Sequence, residues 1–180
     1  MSNTKKRSPT IGTVKTPNGK VLIAIGPRGI IKVGGVIERT DLDKMASCGP
    51  KVTRVLVRTI REIQEYCKGK RRKFSVKVDL SSGTPFQQKV WRELLKIPYG
   101  HVITYAELAK RAGNPGAVRA VGNAVGSNPI GIIVPCHRVV ASGGRIGGWS
   151  GGGGIAGKRA LLKLEGSDTF KMEKTKRTKK

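Results

Sequence analysis

Hydrophobic positions along this 180-residue chain change their period several times, and each change marks an expected element. Two short runs rich in β-branched residues, IGTVKT and KVLIAI, flank Pro17-Asn18-Gly19, so residues 11 to 26 are predicted to form a β-hairpin. A third strand is expected from about Ile30 to Ile37. Val52, Val55, Leu56, Ile60 and Ile63 then recur at three-to-four spacing, which predicts an amphipathic helix over 51–67 packed on that sheet. A basic run, KGKRRK, leads into FSVKVDL, where Phe74, Val76, Val78 and Leu80 alternate as in a half-buried strand. Ser81-Ser82-Gly83 reads as a linker. The expected organisation is α+β: a small sheet-and-helix domain over 1–80, a mainly helical domain over 81–168, and a disordered basic tail over 169–180.

Helix signals are denser beyond the linker. Thr84-Pro85-Phe86-Gln87 is a capping box with proline at the first helical position, and Phe86, Val90, Trp91, Leu94 and Leu95 supply a buried stripe ending near Ile97-Pro98. Thr104-Tyr105-Ala106-Glu107 is a second capping box, opening a short helix that ends at Gly113. Asn114-Pro115 is expected to start another helix running to about Gly126. Two short helices joined by a turn containing Gly113 have the outline of a helix-turn-helix. The second helix is unusually thin, with Gly116, Ala117, Ala120, Gly122, Ala124 and Gly126 along it and a single charge, Arg119. Such a helix suits either a tightly packed core or close approach to a narrow groove of a duplex.

Charge favours the duplex. Lys and Arg number 36 against 11 Asp and Glu, a net charge of +25. The excess is spread along the chain: 19 basic against 6 acidic residues over 1–83, 11 against 3 over 84–166, and 6 against 2 in the tail. That distribution points to a polyanionic partner and not to a single basic arm. No apolar stretch approaches the roughly 20 residues of a membrane span, and no apolar segment follows the charged N-terminus. The expectation is an intracellular protein, cytoplasmic, or nuclear if eukaryotic. Cys48, Cys67 and Cys136 lie far apart without metal-ligand spacing, so neither a disulfide framework nor a metal site is expected. A Cys48–Cys67 bridge stays open for a hyperthermophilic source.

The chemistry concentrates in IIVPCHRVV, residues 132–140, where Cys136 stands next to His137, one of two histidines in the chain. A thiol becomes a nucleophile when a base or a positive charge favours its thiolate. Adjacent residues on a strand point to opposite faces, however, so either Pro135 forces a turn or a water bridges the pair. The apolar run Ile130 to Val134 leads in as a buried strand, and the glycine-rich GGRIGGWSGGGG leads out as a candidate lid. Glu165, at the end of the following helix, is a carboxylate able to orient the histidine.

The runs TPFQQKVWRELLKIPYG, TYAELAKRAGNPGAVRAVGNAVGSNP, IIVPCHRVV and the WSGG loop resemble, in that order, the O6-alkylguanine-DNA alkyltransferases, also called methylated-DNA-protein-cysteine methyltransferases. The likeness covers about residues 84–166. It implies a ribonuclease H-like N-terminal domain and a single-turnover DNA repair protein without a cofactor. A base carrying an alkyl group on guanine O6, and also O4-alkylthymine, would be flipped out and the group moved irreversibly to Cys136. By the same resemblance His137 would take the thiol proton through a water, Glu165 would hold the histidine, and Asn128 would brace the turn. Tyr105 would meet the guanine and help rotate its phosphate. Arg119 would fill the vacated stack, with Thr104, Ala117, Ala120, Gly122 and Asn123 along double-stranded DNA in the minor groove, with little sequence preference. Pro135, Val139, Trp149 and Ser150 would line the base pocket, and the protein would act as a monomer.

Some features depart from the family. Residues before 80 match weakly, and the zinc of some relatives has no plausible ligands here. In the lid, Gly148-Trp149-Ser150 with Gly151 to Gly154 replaces the commoner Asn-Tyr-Ser, which leaves the accepted range of alkyl groups open. Two other functions fit parts of the pattern. A non-catalytic sensor of alkylated DNA on the same scaffold would lack the acceptor cysteine, and a Cys-His-Glu hydrolase would leave the thin helix and the charge without purpose.

Overall fold

A computed structural model describes residues 10–16, 19–26, 28–34, 50–147, 149 and 153–167. Strands β1 (Thr10–Thr16), β2 (Gly19–Gly26) and β3 (Gly29–Val33) form an antiparallel meander in that order. The expected hairpin pairs Thr16 with Gly19, while Pro17 and Asn18 of its turn lie outside the described residues. So do residues 35–37 of the expected third strand, Cys48, Ser150 and the tail. Helix α1 (Pro50–Cys67) lies across β1 and β2. The approach is close because residue 12 is glycine: a Cβ there would stand 2.8 Å from Leu56.

The outer edge of β3 joins two later segments. Ile30 N–H donates to Lys77 O at 2.9 Å and Asp79 N–H to Ile30 O at 2.7 Å. Three residues on, Val33 N–H donates to Pro129 O at 2.9 Å and Gly131 N–H to Val33 O at 2.7 Å. These contacts correct two expectations. Residues 74–80 touch β3 through one bridge at Val78 and are not a regular strand. Their backbone is claimed elsewhere, since Ser75 N–H donates to the buried Glu62 carboxylate at 2.8 Å. Residues 130–134 are buried as expected, but after the bridge at Ile130 they coil into tight turns, with Val134 N–H returning to Ile130 O at 2.9 Å.

The remaining helices follow their caps. Helix α2 (Pro85–Leu94) opens with the expected capping box: Thr84 accepts from Gln87 N–H, and the Gln87 side chain accepts from Thr84 N–H at 2.8 Å. Helix α3 (Tyr105–Arg111) keeps only half of its box. Thr104 Oγ1 accepts from Glu107 N–H at 3.1 Å, while the Glu107 carboxylate turns to Arg111 at 2.8 Å. Gly113, at φ +72°, ends the helix in the left-handed conformation suited to glycine. Helix α4 (Val118–Gly126) begins three residues later than Pro115 had suggested. Asn114 closes the preceding turn instead, its side chain donating to Ala112 O at 3.1 Å and its carbonyl accepting from Ala117 N–H at 3.0 Å. A two-stranded parallel pair, β4 (Ile103–Thr104) with β5 (Val139–Val140), ties the start of α3 to the cysteine segment, and α5 (Gly154–Leu164) completes the mixed α/β fold. One buried cluster runs from Val14 through α2 to α4 and on to Val139. Trp91 pins α2 to α4 within it, donating from Nε1 to Ala124 O at 2.7 Å.

Candidate active site

The alternation problem at Cys136 and His137 is resolved by a turn. Pro135 sits at φ −82°, ψ 62°, and residues Cys136–Arg138 form one 3-10 turn closed by Arg138 N–H donating to Pro135 O at 3.0 Å. Asn128 spans the approach to this turn. Its Oδ1 accepts from Ile130 N–H at 3.0 Å and its Nδ2 donates to Val134 O at 2.9 Å. The loop so closed holds Ile132 at φ +70°, a conformation that a β-branched residue adopts only under constraint. Its side chain is buried against Tyr66 and Leu161.

Cys136 is 3 % exposed, and the Trp149 indole lies on it, donating from Nε1 to Sγ at 3.1 Å. Trp149 therefore covers the sulfur itself. Burial raises the thiol above the usual cysteine range, and hydrogen bonds from Asn128 and Trp149 and the nearby Lys158 charge oppose that rise. Lys158 is buried, donates to Val139 O at 2.6 Å, and stands 5.9 Å from the Tyr105 ring centre. Its burial brings the ammonium down to about 8, while the neighbouring cysteine pulls the other way. Tyr105 is half-buried, with its hydroxyl facing Gly147 of the loop. Its pKa lies above the ordinary tyrosine value because of burial and then the charge of Cys136.

His137 and Cys136 each have a separate set of partners. His137, fully buried, places Nε2 at 3.0 Å from Glu165 Oε1. Its Nδ1 has no hydrogen-bond partner among the described residues. A neutral imidazole that donates from Nε2 to Glu165 has Nδ1 free to accept a proton. Burial lowers the histidine below its ordinary value even though Glu165 works to raise it, so the ring is neutral at pH 7.

Glu165 is the hub of the site. Besides His137 it accepts from Tyr66 Oη at 2.5 Å, Arg138 Nη2 at 2.8 Å, Arg138 Nε at 2.9 Å and Gly100 N–H at 3.1 Å. Burial alone would raise this carboxyl, but the hydrogen bonds and charges of His137 and Arg138 outweigh it and bring it down to about 2.

Tyr66, Arg138, Lys158 and Gly100 were not found by reading the sequence. Lys158 did leave a signal, since it shares the buried stripe of α5 with Leu161 and Leu162. Tyr66 left none, because an aromatic residue next to Ile63 on the inner face of α1 reads as core.

Three of the small residues of α4, Ala120, Gly122 and Gly126, lie on its outer side, while Ala124 faces the core. Val121, Ala124 and Val125 are buried, whereas Arg119, Ala120 and Asn123 are exposed. A Cβ added at Gly116, Gly122 or Gly126 would meet nothing within 4 Å. Packing among the described residues therefore does not require these glycines, while the opposite side of the helix, with Val121, Ala124 and Val125, is packed into the core. Ala117 immediately precedes α4, and Thr104 caps α3. Pro135 and Val139 are buried beside the cysteine, and Pro135 also borders a cavity of about 480 Å³ walled by Arg72, Phe74, Ile97, Tyr99 and Arg138, of which Cys136 is not part.

Residues 85–167 match the family model described as the DNA-binding domain of 6-O-methylguanine DNA methyltransferase. The chain belongs to the methylated-DNA-protein-cysteine methyltransferase family. It is 53 % identical over 108 residues to the methylated-DNA-protein-cysteine methyltransferase of Mycobacterium tuberculosis, covering 60 % of this chain and 64 % of that one. To the inducible enzyme of Bacillus subtilis it is 45 % identical over 112 residues, 62 % of this chain and 61 % of the relative. These sequence matches thus span a little under two thirds of the relatives' own length. Among solved structures, Mycobacterium tuberculosis OGT in complex with DNA superposes with a TM-score of 0.73 at 40 % identity, over 86 % of this chain and 91 % of that one. The O6-methylguanine-DNA methyltransferase of Pyrococcus kodakaraensis does so with a TM-score of 0.52 at 26 % identity, over 88 % and 99 %.

Proposed function

We propose that this protein repairs alkylated DNA by moving an alkyl group from guanine O6 to Cys136, once per molecule. The observation that carries the reading is the separation of roles in the 136–138 turn: a buried sulfur on one side, and a histidine whose Nε2 is committed to Glu165 and whose Nδ1 has no partner among the described residues. A water between Sγ and Nδ1 carries the thiol proton to His137 as the sulfur attacks the alkyl carbon. The C–O6 bond breaks, its electron pair passes into the guanine ring, and Tyr105 Oη supplies a proton there. Lys158 lies close to both reacting groups and stabilises the negative charge as it moves from sulfur to base. Glu165 stabilises the imidazolium that remains. The product is a thioether, which water does not hydrolyse, so the sulfur is consumed. Trp149 must leave the sulfur before a purine reaches it, which gives this side chain the part of a lid.

DNA recognition follows from α3 and α4, read as a helix-turn-helix in which α4 lies in the minor groove. Its outward glycines and alanines allow the backbone to approach the groove floor, and Arg119 fills the gap left by the flipped base. Unstacking one base costs a few kcal/mol, and the spread of positive charge supplies affinity independent of sequence. Asn128 braces the reacting turn, and Thr104 and Asn123 face the backbone of the duplex. Residues 1–80 form a ribonuclease H-like domain, 81–168 the alkyl-accepting domain and 169–180 a basic extension. The protein works as a cytoplasmic monomer, and O4-alkylthymine is a second substrate.

The test is to mix the protein with a duplex holding one O6-methylguanine and to weigh the tryptic peptide containing Cys136. One added methylene per protein, abolished by Cys136→Ser, is expected. Repeated turnover, or modification at Cys67, would overturn the assignment.

A further inference from the structure

We propose that Tyr66, delivered by α1 from the N-terminal part of the chain, is a positioning residue for alkyl transfer: its hydroxyl holds the Glu165 oxygen that His137 uses, and so fixes which ring nitrogen carries the proton. This rests on the reading of Cys136 and His137 as the reacting pair. Tyr66 is fully buried, donates to Glu165 Oε1 at 2.5 Å, and lies 3.3 Å from His137 Nε2. Hydroxyl, imidazole and carboxylate oxygen thus form a triangle, with Tyr66 and His137 both directed at Oε1.

Packing alone does not call for this hydroxyl. The ring is held by Phe74, 5.3 Å away between centroids, and by Tyr99, edge-on at 6.0 Å, contacts that phenylalanine would keep. A buried hydroxyl is costly unless bonded, and here its bond goes to the oxygen that orients the histidine. Burial, and then the Glu165 charge, keep the phenol protonated, so it acts only as a donor to the carboxylate.

The consequence for His137 has a definite sign. The charged and titratable groups around the ring are Glu165 at the end of α5, Arg138 and Cys136 of the same turn, Lys158 of α5 and Tyr66 of α1. Tyr66 and Arg138 draw on the negative charge of Glu165 and leave less of it to stabilise an imidazolium. Burial already disfavours the charged ring, and these two donors work in the same direction, so His137 stays neutral and ready to accept the thiol proton through Nδ1. Without the Tyr66 hydroxyl, Oε1 becomes a stronger acceptor for Nε2–H. The ring then protonates at higher pH, and proton acceptance from Cys136 fails earlier as pH falls.

The experiment compares the full chain with Tyr66→Phe in two measurements. One is an NMR titration of the His137 ring nitrogens between pH 5 and 9. The other is the single-turnover rate on duplex O6-methylguanine across the same range, with duplex affinity and Tm measured alongside. In the variant, the His137 midpoint should rise by about half a unit or more. The rate should fall about threefold or more on the acid limb and less on the plateau, with duplex affinity unchanged. An unchanged His137 titration in a folded Phe variant would overturn the proposal, and so would a rate loss equal at every pH, which is what lost packing alone produces. The NMR readout does not depend on alkyl transfer, so a wild-type protein that fails to react with the duplex would sink the proposed function while the Tyr66 arrangement is still judged.

Discussion

Replacing Glu165 with glutamine should cost about as much stability as any single change in this protein. The carboxylate is 5 % exposed and accepts from five donor atoms on four residues, among them the guanidinium of Arg138, itself 6 % exposed. Glutamine keeps one acceptor and turns an amide toward the donors. Arg138 would then keep Ile97 O, at 2.6 Å, and at most one uncharged amide oxygen in place of the carboxylate that balances its charge. Leaving one partner of a buried ion pair uncompensated costs about 3–5 kcal/mol.

The titration of Glu165 gives a second route to the magnitude. A carboxyl brought from its ordinary 4.5 down to about 2 contributes on the order of 3 kcal/mol. Because the folded value is the depressed one, this contribution is fully present above the unfolded pKa and disappears as pH falls from 4.5 toward 2. Against a total stability of about 5–15 kcal/mol, the loss is large. Urea unfolding of both proteins at pH 7, and then in steps from pH 5 to 2.5, measures it. Glu165→Gln should lose about 3–5 kcal/mol at pH 7, and its deficit should shrink across the acid window as the wild type loses the same interaction. A deficit below about 1 kcal/mol at pH 7, or one that stays constant as pH falls, would refute the placement of Arg138 and Glu165 as a buried, mutually dependent pair.

Two further substitutions separate fold from function. Gly122→Leu places a side chain where nothing lies within 4 Å, so Tm should hold or rise slightly. The same change should weaken duplex binding at least about tenfold by salt-matched titration if α4 lies against DNA, and unchanged affinity would remove α4 from the groove. Gly83→Ala should do the opposite. Its Cβ would fall within 2.6 Å of the buried Trp91 ring, costing about 1–3 kcal/mol by thermal melting while leaving the stoichiometry of alkyl uptake at one.

Much of the local structure was legible because it depends on neighbours in sequence. The Thr84 box, the Gly113 stop, the hairpin strands and the helix over 51–67 all follow from residues within a few positions of one another. Departures arose where distant groups competed for the same backbone or side chain. Arg111 drew Glu107 away from its cap, and Glu62 took the Ser75 amide that a strand would have used. In the run Ile130 to Val134, hydrophobicity marked burial, but only the Asn128 clasp and the edge of β3 made it a turn.

By itself the sequence singled out the candidate cysteine, histidine and carboxylate, the thin helix and the charge. Each is a residue type or a short pattern that carries its chemistry wherever the chain puts it. Only the tertiary structure decided how those groups share their bonds. It set Trp149 on the sulfur, left Nδ1 of His137 without a partner among the described residues, and brought Tyr66 and Arg138 onto the oxygen that His137 bonds. A carboxylate oxygen has few acceptor directions. Which donors occupy them depends on groups separated by as many as 99 positions in the chain, a relation that no local pattern encodes.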